Sequence, residues 1–207
     1  MNNSLRAAQA LAIKYTDKAA TDELLLIFES PEPFLTVIKQ FDKWLAQHPE
    51  SSAAADYLFD ILLAHHLEKQ RDNEDYLFSK EWMDIEDKTI DRGTELLNML
   101  IYISEAKDND IEIDLTDFMN EFLLVDEDEF QDEHHIYETI IDNAEIMEVE
   151  RDSFIEALAS LNDDNLAELL KPMLLFFYSP DEPMNVSYLT RDEEALYNAI
   201  LAYAEVE

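Results

Sequence analysis

The chain has 207 residues, and its 49 Asp and Glu against 14 Lys and Arg give a formal net charge of −35. Hydrophobic residues still make up 47%, with 11 Phe, 9 Tyr and 2 Trp, so the acids surround a core rather than replace it, and an aromatic-poor acidic tail is excluded. The lack of Cys excludes disulfides, thiol nucleophiles, Fe–S clusters and Cys-ligated zinc; Gly93, the single glycine, cannot supply a Walker loop, a dinucleotide-binding turn or a Gly-x-Ser-x-Gly elbow.

One Gly, no Asn-Gly or Asp-Gly turn, and abundant Leu, Ala, Glu and Met favour helices over hairpins. The pattern predicts an all-α protein, a single multi-helix domain of eight or nine helices with at most one short extended segment near 110–115. Asn3 or Ser4 opens a first helix reaching about Lys18. The mildly apolar Ala7–Ile13 inside it is interrupted by Gln9 and followed by Lys14 and Asp17, which fits an amphipathic helix and not a signal peptide. Thr21, followed by Asp22 and Glu23, opens a second helix, which stops before Ser30-Pro31-Glu32-Pro33. Pro33 suits the first turn of a third, with Phe34, Val37, Ile38, Phe41, Trp44 and Leu45 on one face, ended by His48-Pro49. Ser51 or Ser52 caps the next helix, about Ala53–Gln70. Its segment Tyr57–Leu67 is apolar on nearly every side apart from Asp60, the signature of a buried helix. Arg71–Asp75 reads as a linker, and a helix beginning near Asp84 ends in the apolar stretch Leu96–Ile103.

Asp108, Asp110, Glu112 and Asp114 alternate with Ile111, Ile113 and Leu115, the period of a short extended piece or an edge strand, too short to define a sheet. Thr116-Asp117 then caps a helix carrying Phe118, Phe122 and Leu123, and Asp126–Asp132 is a run of charge. Ile136, Ile140, Ile141 and Met147 lie on a further helix, which continues or restarts at Asp152-Ser153. Asn162 caps a helix with a stripe of Leu166, Leu169, Leu170, Met173, Leu174 and Phe177, kinked at Pro172. Thr190 caps the last, with Leu196, Ile200 and Tyr203 facing inward. Leu24–Pro33 and Leu174–Pro183 share an apolar run, a Ser-Pro and a second Pro, which helix-then-Pro punctuation explains without duplication.

The charge is uneven. Residues 1–107 hold 20 acids and 11 bases, whereas residues 108–207 hold 29 acids and only Arg151, Lys171 and Arg191. That asymmetry suggests sub-halves 1–107 and 108–207 within one domain, since no Pro/Gly/Ser-rich linker separates them.

No arrangement of residues reaches a catalytic motif. His65-His66 and His134-His135 both fall in helical stretches. Asp132, His135 and Glu138 repeat at three-residue spacing with Asp142 a turn further, so His135, Glu138 and Asp142 are competent for a divalent metal. A di-iron bundle needs Glu-x-x-His twice, however, and Asp132-x-x-His135 occurs once. A solvated acidic face is the preferred reading. The acids at 108–114 resemble the opening of a calcium loop but place Ile113 where the turn glycine belongs and Met119 where the bidentate Glu belongs. Asn162-Asp163-Asp164-Asn165 reads as a helix cap with acids in the first turn, and Glu86-Asp87-Lys88 lacks the partner Asp of a nuclease site. Asp60, on an otherwise buried helix, requires a partner or a proton, with Arg92, Lys88 or His66 as candidates. Phe176-Phe177-Tyr178, with Met184 and Tyr188, fits core packing better than an exposed contact patch.

The functional expectation is a non-catalytic binding protein. The segment Asp108–Glu150 has 17 acids and no Lys or Arg. Asp126, Glu127, Asp128, Glu129, Asp132, Glu133, Glu138, Asp142 and Glu145 form the face expected to engage a basic protein partner, as an inhibitor or by imitating the phosphates of a nucleic acid. The same sign disfavours direct nucleic-acid and anionic-membrane contact, and no apolar run approaches the roughly 18–20 residues of a membrane span; a soluble cytoplasmic location is the expectation. No cofactor is expected. Two alternatives stand beside this: a divalent-metal helical enzyme built on His135, Glu138 and Asp142, and an acidity set by a salty environment. Nine Lys against five Arg, 16 Ile and 11 Phe argue against extreme halophily.

Overall fold

The computed structural model describes residues 2–73, 75–121, 140, 143–161 and 167–205. Among them the chain is all-α, with ten α-helices, short 3-10 turns and no strand. Two compact units divide the chain, Met1–Leu97 and Asn98–Glu207. The charge steps up near residue 107, inside a helix, whereas the compact units divide at Leu97.

In the first unit, α1 covers Asn3–Ala12 and α2 Lys18–Phe28. Both begin earlier than expected because short side chains upstream take their orphan amides. Asn2, not Asn3 or Ser4, caps α1 by accepting the Leu5 N–H at 3.0 Å. Asp17, not Thr21, caps α2 by accepting the Ala20 N–H at 2.9 Å. This ends α1 at Ala12 instead of Lys18. Thr21 is buried and turns its hydroxyl back to the Asp17 carbonyl at 2.9 Å.

Helix α3 covers Phe34–Gln47, with Pro33 at its N-cap. Phe34, Val37, Ile38, Phe41 and Trp44 are its buried face, as the periodicity predicts. The Trp44 indole N–H donates to the Ala20 carbonyl at 3.1 Å and ties α3 to α2. A 3-10 turn, Pro49–Ala54, carries the Ser51 and Ser52 expected to cap the next helix, so α4 begins at Ala55 and runs to Gln70. Leu58 through His65 are buried without a break, which makes α4 the central helix of this unit.

The expected helix from Asp84 to Ile103 is two. Ser79 caps α5, Lys80–Thr89, accepting the Trp82 N–H at 3.0 Å, and α6 starts afresh at Leu96 and reaches Asp108. Gly93 breaks the run. Its φ of +95° belongs to the region where a side chain is strained.

In the second unit no strand forms at 108–114. Asp110, at φ +56°, ends α6 in a left-handed turn: the Ile111 N–H reaches the Ala106 carbonyl at 2.8 Å and the Asp110 N–H reaches that of Lys107 at 3.3 Å. The carboxylate of Asp114, not of Thr116-Asp117, then caps α7, Leu115–Glu121, by accepting the Thr116 N–H at 2.8 Å and the Asp117 N–H at 3.2 Å. The alternation of acids and isoleucines is therefore a helix stop followed by a helix start. Phe122 and Leu123 lie outside the described residues. A 3-10 turn, Ala144–Glu148, precedes α8, Arg151–Ser160.

Helix α9, Ala167–Tyr178, continues through Pro172; the missing N–H leaves the Glu168 carbonyl, on an exposed residue, without its intrahelical partner. Asn162 and Leu166 lie outside the described residues. Helix α9 packs against α10, Arg191–Ala204, which opens with the Thr190–Glu193 capping box. Leu169, Leu170 and Met173 through Phe177 are all buried, so Phe176-Phe177 are core. Phe177 stacks on Phe118 at 5.2 Å, Tyr178 on Phe154 at 3.8 Å, and the Tyr197 hydroxyl accepts the N–H of buried Met184 at 3.1 Å.

Candidate functional site

Two places in the first unit and one feature of the second combine unusual chemistry with defined geometry.

The first is a cavity of about 520 Å³ between the Phe28–Phe34 connection and the C-terminal half of α4. Phe28, Phe34, Val37 and Leu62 supply apolar walls, and Glu29, Glu32 and Glu81 supply carboxylates. His65 and His66, with Lys69 about one turn further along α4, line the same space. His66 stacks on Phe34 at 4.1 Å and its Nε2 meets the Tyr76 hydroxyl at 2.5 Å. Nδ1 of His65 lies 3.0 Å from the amide nitrogen of Asn2; since an amide nitrogen donates, Nδ1 is the acceptor and the ring proton sits on Nε2. That Nε2 is buried, and the backbone of Phe28 acts on the ring against the effect of burial.

Burial holds both imidazoles down to about 4, with Lys69 adding a smaller push on each, so both are neutral at pH 7. Burial also lowers the Lys69 ammonium, offset by Glu29 and Glu68, and its Nζ donates to the Phe28 carbonyl at 3.1 Å.

The second place surrounds Asp60, which is 1% exposed. Its partner is none of Arg92, Lys88 or His66. Thr94 supplies both its N–H, at 2.9 Å, and its hydroxyl, at 2.6 Å, to Oδ2. Oδ1 has no partner and faces Gly93, where a Cβ would stand only 2.5 Å away. The lone glycine is thus required twice, by its backbone angle and by the carboxyl packed against it. Burial pushes Asp60 up to about 8; the Thr94 bonds oppose this, while Asp56 and Glu95 reinforce it. The group is therefore a neutral acid at pH 7. Arg92 instead pairs with Asp42 at 3.0 Å and lays its guanidinium 4.2 Å over Phe59. A buried acid with its hydrogen bonds supplied from one loop serves to pin that loop to α4.

The third feature is the acidic surface of the second unit. Glu145 is exposed on the 3-10 turn, as are neighbouring Glu148 and Glu150. Asp126, Glu127, Asp128, Glu129, Asp132, Glu133, Glu138 and Asp142, together with His134 and His135, lie outside the described residues. Among the described residues no group of three or more His, Asp or Glu is placed to hold a metal. Lys171, one of the three bases in residues 108–207, is turned inward: it pairs at 3.3 Å with Glu193, which is 4% exposed.

No helix among the described residues is long and apolar enough to cross a membrane. No protein-family model, curated protein or solved structure matches the chain.

The His65–His66–Lys69 cavity went unnoticed in the sequence. A His-His pair followed by Lys at helical spacing, and a Pro-rich connection after Phe28, were the only available hints; nothing local indicates that the two meet.

Proposed function

We propose that this protein is a non-catalytic binding module whose acidic second half engages a basic protein partner. The observation that carries the reading is the distribution of charge: 29 acids against three bases in residues 108–207, with the densest run at 108–150. The described part of that half has an aromatic core, and the acids of that described part belong to a folded body. Self-repulsion among so many like charges costs stability, and a cationic partner relieves it on binding. A field of this sign raises the encounter rate with basic proteins and falls off with salt, since the Debye length is about 10 Å at 0.1 M ionic strength. A basic groove that ordinarily holds nucleic acid is one surface of matching charge.

The test is salt-step affinity capture with identification of the retained proteins, repeated with competing nucleic acid. Retention of discrete basic proteins at low salt, released together by moderate salt and displaced by nucleic acid, supports phosphate imitation. Retention indifferent to salt removes the electrostatic reading.

A further inference from the structure

We infer that the exposed side of α5 is a docking surface for a short amphipathic helix of a partner protein, one that carries basic residues beside its apolar stripe. The surface lies in the first unit and is read by apolar contact, so it goes beyond the electrostatic capture proposed for residues 108–207.

Helix α5 has two apolar sides, and the fold uses one. Ile85 and Thr89, a turn apart, are buried. Trp82 on the same side is half-buried and meets the buried Tyr76 ring at 5.9 Å. Met83 and Ile90 lie on another line, nearly in register around the axis, since seven residues make close to two turns of about 3.6. They are 53% and 76% exposed. Ile90 keeps helical angles, φ −55° and ψ −31°, so the line holds to the end of the helix. Phe78 extends it at the other end. It precedes the Ser79 cap, and Met83 is the fourth residue of α5; these are the two positions that meet across a helix start. Phe78 is nevertheless 83% exposed, and Leu77 beside it 54%. The core accounts for Ile85 and Thr89 but not for these four side chains. Apolar residues exposed singly are ordinary, whereas a line of them rimmed by polar groups marks an interaction site.

The charge around the line selects the occupant. Glu86 and Asp87 fall between Met83 and Ile90, one on either side of the line, and Asp91 follows Ile90; all three are exposed. Lys88 falls on the opposite flank, and Lys80 sits at the helix start. A second copy would set these acids against themselves, on chains that each carry −35. An anionic membrane is repelled for the same reason. A partner helix with apolar residues at i, i+3, i+4 and i+7, flanked by Lys or Arg, matches both the line and its rim. Four side chains cover far less than the roughly 800 Å² per partner of a stable complex, so the occupant is a short segment bound reversibly and not a permanent subunit.

The experiment titrates the full chain, labelled at its methionine and isoleucine methyls, with a helical Leu/Lys peptide of about four turns bearing one leucine stripe. A scrambled peptide of the same composition is the control. The striped peptide is expected to shift the Met83 and Ile90 methyl signals saturably and to bind about tenfold more tightly than the scrambled one, which presents no single apolar face. Phe78→Ser/Ile90→Ser, at two solvent-facing positions, is expected to weaken the striped peptide by about tenfold or more, read at Met83. Ile13→Ser/Leu26→Ser, the same kind of change at exposed positions elsewhere in the first unit, is expected to stay within about twofold. Glu86→Gln/Asp87→Asn is expected to weaken it about fivefold, the effect of two exposed ion pairs. Binding that leaves Met83 and Ile90 unmoved, equal affinity for the two peptides, or equal losses in the two serine variants overturns the proposal. So does a mass that grows with concentration and reverts in Phe78→Ser/Ile90→Ser, which makes the face a self-contact. Adsorption to phosphatidylcholine vesicles that is lost in the same variant overturns it too, as a membrane contact. Moderate salt separates this contact from capture through residues 108–150: apolar docking of the striped peptide is expected to persist where electrostatic capture is released, so either reading fails alone.

Discussion

Asp60→Asn isolates the cost of a buried acid. Asparagine keeps the oxygen that accepts from Thr94 at 2.9 and 2.6 Å but cannot ionise. In the folded protein Asp60 is pushed up to about 8, against 3.8 for the free group. A raised carboxyl means that the native state holds a proton the unfolded chain releases. Its contribution is fully present below 3.8 and is lost as pH rises through about 8. Each pH unit in that window corresponds to about 1.4 kcal/mol, so between pH 4 and pH 7 the wild type loses up to about 4 kcal/mol that Asp60→Asn retains. The histidines slope the other way, but they are present in both proteins and cancel in the difference. Urea unfolding followed by tryptophan fluorescence is the natural assay, because Trp44 and Trp82, the only two tryptophans, both lie in the unit that contains Asp60. The stability difference is expected to be near zero at pH 4 and to grow to several kcal/mol by pH 7. Parallel curves from pH 4 to pH 9 would show that Asp60 ionises normally and carries no buried proton.

Three further outcomes follow from the same geometry. Gly93→Ala is expected to destabilise by about 2–4 kcal/mol, from the positive φ and the close approach to Asp60; in an Asp60→Ala background the second part vanishes, so the double variant should cost less than the sum, read as a coupling in a double-mutant cycle. The His65 and His66 rings are expected to titrate near 4 by NMR; because these values are lowered, the associated stability is present above 6.5 and lost as pH falls through 4, and midpoints near 6.5 would contradict the burial argument. Asp110→Gly, at φ +56°, is expected to raise stability by about 1 kcal/mol by relieving the left-handed turn, with Asp110→Asn separating the backbone gain from the loss of a charge; a thermal melt that falls with glycine would count against the turn as described.

Local signals were read directly from the chain. Thr190 is legible as the cap of the last helix and is its N-cap, and Glu193 completes a capping box with it. The face of α3 and the all-round apolarity of α4 follow from periodicity alone, and so does the all-α class. Misread signals involved a choice between nearby candidates. Asp17 and Thr21 are both competent caps, and Asp17 prevails because its carboxylate reaches the Ala20 N–H while Thr21 is buried. The alternation at 108–114 looked like a strand because a helix stop at Asp110 and a helix cap at Asp114 happen to fall two residues from the intervening acid. What could not be read required residues far apart in sequence. Thr94 reaches Asp60 across 34 positions, and Lys69 reaches Phe28 across 41. The candidate acidic face was legible only as composition; of its named residues Glu145 alone is described, and it is exposed.

Two variants with the same net charge distinguish a recognition surface formed by the acids of the second half from a diffuse charge. One replaces Asp126, Glu127, Asp128, Glu129, Asp132 and Glu133 with their amides; the other does so at Asp72, Asp75, Asp84, Glu86, Asp87 and Asp91, six exposed acids of the first unit. Affinity for a basic protein captured by the wild type is measured for both at fixed low salt. The first variant is expected to lose most of the affinity and the second to keep it. Equal weakening in both would mean that net charge, and no particular face, governs binding.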